Sequence, residues 1–318
     1  MPDGARAGAW ATARGRARSL VCVLALLLAG CHAGGGHPAP SGAAGGRAPI
    51  RVASFDFPES QILAEIYAQA LEKRGLPVVR LLQLGSREIV EPALELDKID
   101  LVPEYIGTLL DFLSRARVAT ASAPSTYAAL RPLLAKRGLV ALHYAPGQDA
   151  NGFAVTRQAA VRRSLRRISD LGPIAGQLVL GGPPECPERP LCLVGLRDVY
   201  GLHFKQFKPM ASRADIAVAL VDGEIDVGLL GTTDGNLVSG RLVLLADDRR
   251  LQPAENLVPV ARRAVVAAYG AQLVSLLNAI SARLTILALE QLNKQVDLDR
   301  RAPAAVAADW LAQQRLPG

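Results

Sequence analysis

The sequence predicts an α/β protein built as two similar lobes with a cleft between them. Three observations carry that reading. From Ile50 onward, short apolar runs alternate with amphipathic segments, the grammar of a parallel or mostly parallel sheet. One phrase occurs twice: Ala93-Leu94-Glu95-Leu96-Asp97-Lys98-Ile99-Asp100 and Ala219-Leu220-Val221-Asp222-Gly223-Glu224-Ile225-Asp226 share Ala-Leu, four intervening residues and then Ile-Asp. Each copy closes a helix and opens an apolar strand. Each strand then runs into a polar turn, Pro103-Glu104-Tyr105-Ile106-Gly107-Thr108 in one and Gly231-Thr232-Thr233-Asp234-Gly235 in the other. Ligands of open α/β sheets sit at the carboxyl ends of strands, where these turns lie.

In chain order, Ile50 to Ser54 reads as a strand, followed by a turn and a helix over Gln61 to Arg74, with Ile62, Ile66 and Ala70 on one face and Gly75 as its stop. Val78 to Leu84 reads as a second strand, and Ser86 as the N-cap of a helix from Glu88 to about Leu96. Ile99 to Val102 forms the next strand, which Pro103 is expected to stop. A helix over Tyr127 to Gly138 and strands at Leu139 to Tyr144 and Gly152 to Thr156 follow. The arginines between Arg162 and Arg167 read as the solvated side of an amphipathic helix. After a return through Arg241 to Leu245 and Asn256 to Val266, one long helix is expected from Ala271 to Asn293. The last, Ala304 to Gln314, carries Trp310.

The N-terminus does not belong to that core. Arg6, Arg14, Arg16 and Arg18 precede an apolar run, Leu20 to Leu28, that is too short to span a bilayer. Leu28-Ala29-Gly30-Cys31 resembles the lipobox of bacterial lipoproteins, which implies cleavage before Cys31 and lipidation of that residue. The expected organisation is therefore a signal peptide (1–30), a Gly/Ala/Pro-rich tether (31–48), lobe 1 (49–147), lobe 2 (148–244) and a return to lobe 1 (245–318). The leader takes away four arginines and one aspartate, so the formal charge falls from +7 to +4. No Lys/Arg cluster is interleaved with aromatics, and no nucleic-acid footprint is expected.

Cys186 and Cys192 flank a proline-rich loop at a spacing that suits a small disulfide ring in an oxidising compartment. A metal site would want more ligands, and no histidine or third cysteine is close. Neither a metal nor a cofactor is expected. The chain contains no Gly-x-Ser-x-Gly elbow, phosphate loop or His-Glu-x-x-His, and its four histidines are isolated, so an enzyme is not expected.

Aromatic residues make up 4% of the chain, so their placement matters. Phe55, Phe57, Tyr105, Phe153 and Tyr200 lie in or beside turns or at the crossing between lobes, where ring faces could attract a cation unable to donate hydrogen bonds. Packing in the core is the competing role for each. The phrases Phe57-Pro58-Glu59-Ser60, Leu84-Gly85-Ser86-Arg87-Glu88-Ile89, Ile99 to Thr108, Tyr200-Gly201-Leu202 and Thr233-Asp234-Gly235 resemble the substrate-binding proteins of osmoprotectant ABC transporters, along nearly all the chain after the tether. The resemblance implies a type II periplasmic-binding-protein fold that closes on glycine betaine, choline or a related quaternary amine. It also implies delivery to a membrane permease driven by a separate ATPase.

Carried over by position, Tyr105 and Tyr200 become cage walls and Thr108 a polar anchor, while Thr233 and Asp234 close from the second lobe. Glu88 adds charge against a cation. Phe57 and Ser54 border the first lobe's strand end, and Phe153 stands where many members place a tyrosine. Val102 and Ile106 depart from the common pattern, which predicts an altered ligand preference. The protein is expected to be an exported monomer held at the membrane by its lipid alone, facing the periplasm or cell exterior. The alternative is a lipoprotein binder or sensor of another small solute, such as an amino acid.

Overall fold

The computed structural model describes residues 47–316. The expected leader, Cys31 and most of the tether lie outside the described residues. The first stretch runs β1 (Ile50–Ala53), α1 (Pro58–Glu72), β2 (Val78–Leu81), α2 (Arg87–Glu95), β3 (Leu101–Tyr105), α3 (Ile106–Ser114), α4 (Ala123–Lys136) and β4 (Leu139–Ala141). The middle holds β5 (Asn151–Thr156), α5 (Arg157–Arg163), β6 (Val179–Gly182), α6 (Leu193–Tyr200), β7 (Gln206–Pro209), α7 (Arg213–Asp222), β8 (Val227–Gly231) and β9 (Leu242–Leu244). The return supplies β10 (Leu257–Arg262), α8 (Arg263–Ser281), α9 (Ile286–Asp297) and α10 (Pro303–Gln313).

The strands form two five-stranded sheets of the same design, β2-β1-β3-β10-β4 and β7-β6-β8-β5-β9. In each, three parallel strands come first and two antiparallel pairings follow. The strand beside the parallel set, β10 or β5, is the one that has just crossed from the other sheet. The two crossings pair with each other: Gln148 bridges Asn256, Asp149 N–H donates to the Glu255 carbonyl (3.0 Å), and Leu257 N–H donates to Gly147 (3.2 Å).

The repeated phrase has one physical role in both lobes. Asp100 accepts the Arg51 N–H on Oδ2 (2.9 Å) and returns its own N–H to the Arg51 carbonyl (2.8 Å); Asp226 does the same with Val179 (2.9 Å each). Just upstream, the Ala93 carbonyl accepts from Lys98 and Ile99, and the Ala219 carbonyl accepts from Glu224 and Ile225. Each copy thus ends a helix and locks the new strand against its parallel neighbour.

Several boundaries differ from the sequence reading. Strand β3 continues through Pro103 to Tyr105 because Pro103 lies opposite Pro259, so one rung loses a donor on both strands. The expected helix Ala271–Asn293 is two helices, broken between Ser281 and Ile286, where Thr285 caps α9 by accepting from Ala288 N–H (3.2 Å) and Gly147 N–H takes the Leu284 carbonyl (2.8 Å). Ser86 precedes α2 but gives its hydroxyl to Glu88 (2.6 Å) instead of capping the backbone. The return to the first sheet starts later than 245, because Leu245 and Leu251 still pack in the second lobe's core.

One core joins α1, α8, α9 and α10 to the first sheet. The second sheet buries both faces: along β5, Phe153 and Val155 enter one cluster and Ala154 the other, as the two-residue period of a strand requires.

Candidate functional site

A cavity of about 850 Å³ opens between the sheets, lined from the first by Phe55, Phe57, Arg87, Tyr105 and Thr108, and from the second by Asn151, Leu229, Met210 and Arg213. Its first wall is set by the β1–α1 turn. Pro58 at the first helical position fixes the entry of α1 and sets Phe57 just ahead of it. The Phe55 and Phe57 rings stack with centroids 5.7 Å apart and planes 10° apart; Tyr105 lies 6.2 Å from Phe57, tilted by 36°. Gly107 admits the crossing backbone to this wall: a Cβ there would lie 2.6 Å from the Ala254 carbonyl oxygen and 2.9 Å from Glu255 Oε1.

Beneath the rings lies a link between the lobes. Glu59, only 2% exposed, accepts three side-chain donors: the Tyr105 hydroxyl (2.6 Å) on Oε1, and Thr233 Oγ1 (2.7 Å) and Asn293 Nδ2 (2.6 Å) on Oε2. Burial, then the charge of Asp149, pushes the Glu59 carboxyl up to about 7 against these donors. Glu255, 1% exposed, is pushed to about 8, mainly by burial, and accepts the Thr108 hydroxyl (3.3 Å).

Two arginines are built into the walls. Arg87 gives Nε and Nη2 to Glu104 (2.9 and 2.8 Å), and its guanidinium lies 5.4 Å from the Phe55 centroid. Arg213 gives Nη1 to Asp149 (3.0 Å), and its guanidinium lies 4.5 Å from the Phe57 centroid. Asp149 also accepts the Thr233 N–H (3.0 Å). Across the mouth, Arg189 of the loop closed by the Cys186–Cys192 disulfide pairs with Glu88 (2.8 Å) and Glu185 (3.1 Å).

Among the residues singled out in the sequence, Phe55, Phe57, Glu88, Tyr105 and Thr108 line the cavity. The others lie elsewhere. Tyr200 is not a wall of it: its hydroxyl donates to Asp247 and accepts the Arg249 N–H (2.8 Å), with the Arg249 guanidinium over its ring. Phe153 is wholly buried, because its place on β5 turns it into the second lobe's core. Ser54 is also buried, bonded to the Phe55 carbonyl (2.8 Å) and the Gln83 N–H (2.9 Å). Thr233 is committed to Glu59, and Asp234 accepts from the Asn236 N–H and Nδ2 (2.9 Å each), which caps the turn Gly235–Ser239.

Sequence reasoning passed over Glu59, Arg87, Asp149 and Arg213. Glu59 sat inside a phrase already noted, Phe57-Pro58-Glu59-Ser60. The signal for the two arginines was available: each opens a helix, where a cation opposes the positive end of the helix dipole.

Comparison with known proteins agrees with this architecture. The family described as the substrate-binding domain of ABC-type glycine betaine transport systems matches residues 48–313. The chain is 30% identical over 277 residues to the glycine-betaine-binding protein of Pseudomonas aeruginosa, covering 84% of this chain and 88% of that one. Among solved structures, apo YehZ from Escherichia coli is 27% identical with a TM-score of 0.61, across 85% of this chain and all of that one. A glycine betaine/carnitine/choline ABC transporter structure, 23% identical, has the same fold at a TM-score of 0.67, across 83% and 98% of the two chains. With two lobes of one design, a cavity between them and a family match spanning nearly every described residue, the chain belongs to the substrate-binding domains of ABC-type glycine betaine transport systems.

Proposed function

We propose that this protein is an extracytoplasmic solute-binding protein that captures a quaternary ammonium osmoprotectant, such as glycine betaine or choline, and delivers it to an ABC permease driven by a separate ATPase. The observation that carries the reading is the Phe55–Phe57–Tyr105 cluster on the wall of an interlobe cavity, in a member of this family. Tyr105 and Phe57 offer ring surface to the ammonium group, Thr108 a hydroxyl to the polar end, and Glu88 a negative charge at the mouth. The relatives' names support the solute class.

Export with lipid attachment at Cys31, monomeric action, and lobe limits near 147/148 and before 257 belong to the same proposal. The change of sheet between β4 and β5 and between β9 and β10 supports those limits. A second reading, an amino acid as solute, draws support from the two guanidiniums on the walls.

A thermal-shift panel of glycine betaine, choline, carnitine and amino acids tests the proposal. A shift with at least one quaternary amine is expected, and a panel in which only amino acids respond selects the second reading. Cell fractionation of the Cys31→Ser chain tests the anchor, with release from the membrane fraction expected.

A further inference from the structure

Solute binding leaves the arginine-rich stretch after β5 unused. Arg157, Arg162, Arg163, Arg166 and Arg167 fall within eleven residues, and no carboxylate follows them before Asp170. All five are exposed, as is Arg241, whose carbonyl accepts the Arg157 N–H (2.8 Å). Asp170 takes Arg167 (3.2 Å), and Arg157 gives Nε to the Gly240 carbonyl. Arg162, Arg163, Arg166 and Arg241 have no ion-pair partner among the described residues. None of the six lines the interlobe cavity.

Packing does not account for the stretch. Helix α5 buries none of its residues, and Val161 is 74% exposed, one turn after Arg157 on the same face. The position is nevertheless fixed. Thr156 caps α5 by accepting the Ala159 N–H (3.1 Å), and Leu165 and Ile168 pin the next turn in the second lobe's core. Arg162 and Arg163 complement the negative end of the helix dipole; Arg157 at the first helical position opposes it, and Arg166 and Arg167 lie beyond the helix. Crowding like charges costs stability, so the cluster calls for negative charge from outside the chain. The patch also stands clear of the solute: Asn151 at one end of β5 lines the cavity, while Thr156 and α5 lie at the other end, about 17 Å away.

We propose that the arginines around α5 seat the second lobe on the surface of an anionic lipid bilayer. The proposal rests on the lipid-anchor reading above. Cys31 and Arg47 are 16 residues apart, at most about 55 Å of chain, so a lipid on Cys31 holds the body within reach of the headgroups. Guanidinium groups match phosphate oxygens with paired N–H···O bonds, and clustered arginines are drawn to anionic leaflets. An exposed helix bearing arginines and one apolar side chain, with no concavity, suits a surface of many headgroups instead of a single small anion.

Co-sedimentation with phospholipid vesicles tests this, using the Cys31→Ser chain expressed without its leader so that no lipid of its own contributes. Partitioning at least tenfold stronger onto vesicles of equal phosphatidylglycerol and phosphatidylcholine than onto phosphatidylcholine alone is expected. The difference should vanish at about 1 M salt, where the Debye length is about 3 Å. Arg162→Gln/Arg163→Gln/Arg166→Gln, checked for folding by circular dichroism, is expected to lower the partitioning at least tenfold. Lys98→Gln/Arg131→Gln/Lys136→Gln, which removes the same charge from exposed sites on the first lobe, is expected to stay within twofold. No preference for anionic vesicles, or equal losses in the two triple variants, overturns the proposal. Either result leaves the anchor to be decided by the cell fractionation above, so the two readings fail separately.

Discussion

Replacing Gly231 by alanine introduces a methyl group where the structure has no room for one. The new Cβ would lie 2.5 Å from Arg213 Nη1 and from both oxygens of Asp149, against the roughly 3.5 Å that non-bonded atoms prefer. Relief needs a displacement of about 1 Å. Asp149 cannot supply it cheaply, because it is fully enclosed and also holds the Thr233 N–H. Arg213 has a flexible stem, but leaving strands a buried carboxylate. Separating a buried ion pair costs about 3–5 kcal/mol, and partial relaxation of the arginine leaves about 3 kcal/mol as the expected loss. Urea unfolding at neutral pH measures it as a lower midpoint at unchanged slope. Gly176→Ala, whose Cβ would meet nothing closer than 4.0 Å, serves as a control expected to change stability by less than about 0.5 kcal/mol. A loss below about 1 kcal/mol for Gly231→Ala would refute the argument that this glycine exists to seat the pair.

Three further outcomes follow from named contacts. Thr233→Val removes one donor from buried Glu59 and is expected to cost about 1–3 kcal/mol, read by the same unfolding assay. The carboxyls of Glu59 and Glu255 are raised in the folded state, to about 7 and about 8, so their contribution is complete below the unfolded value near 4.5 and is lost as pH rises through 7 to 8. The melting temperature should therefore fall between pH 5.5 and 8.5; a profile that rises over that window contradicts the assignment. Tyr200→Phe deletes the bonds to Asp247 and Arg249 and is expected to lower stability by about 1–2 kcal/mol while leaving solute affinity within twofold, since the residue does not line the cavity. A tenfold loss of affinity would place it in the site after all.

The legible part of the site was the part carried by local chain chemistry. Pro103-Glu104-Tyr105-Ile106-Gly107-Thr108 read as a strand end and polar turn; the structure runs the strand to Tyr105 and starts a helix at Ile106, with Tyr105 and Thr108 facing the cavity. Cys186 and Cys192 read as a ring from their spacing, and the disulfide is present. Tyr200 read as a wall because the family resemblance carried that role to it by position. What sent it elsewhere was Asp247, distant in sequence and adjacent in space. Phe153 was decided by packing over β5, whose two faces are both covered by core clusters.

The sequence by itself determined the class of fold, the doubling of the lobes and the strand ends that edge the cleft, because periodicity, helix stops and the Ile-Asp phrase act over a few residues. Tertiary structure alone decided which side chains meet. Glu59 gathers Tyr105, Thr233 and Asn293 from three separate elements, and Arg213 reaches Asp149 across β8 only because Gly231 has no side chain. Such meetings depend on long-range closure and on volume, and neither is written in any local run of residues.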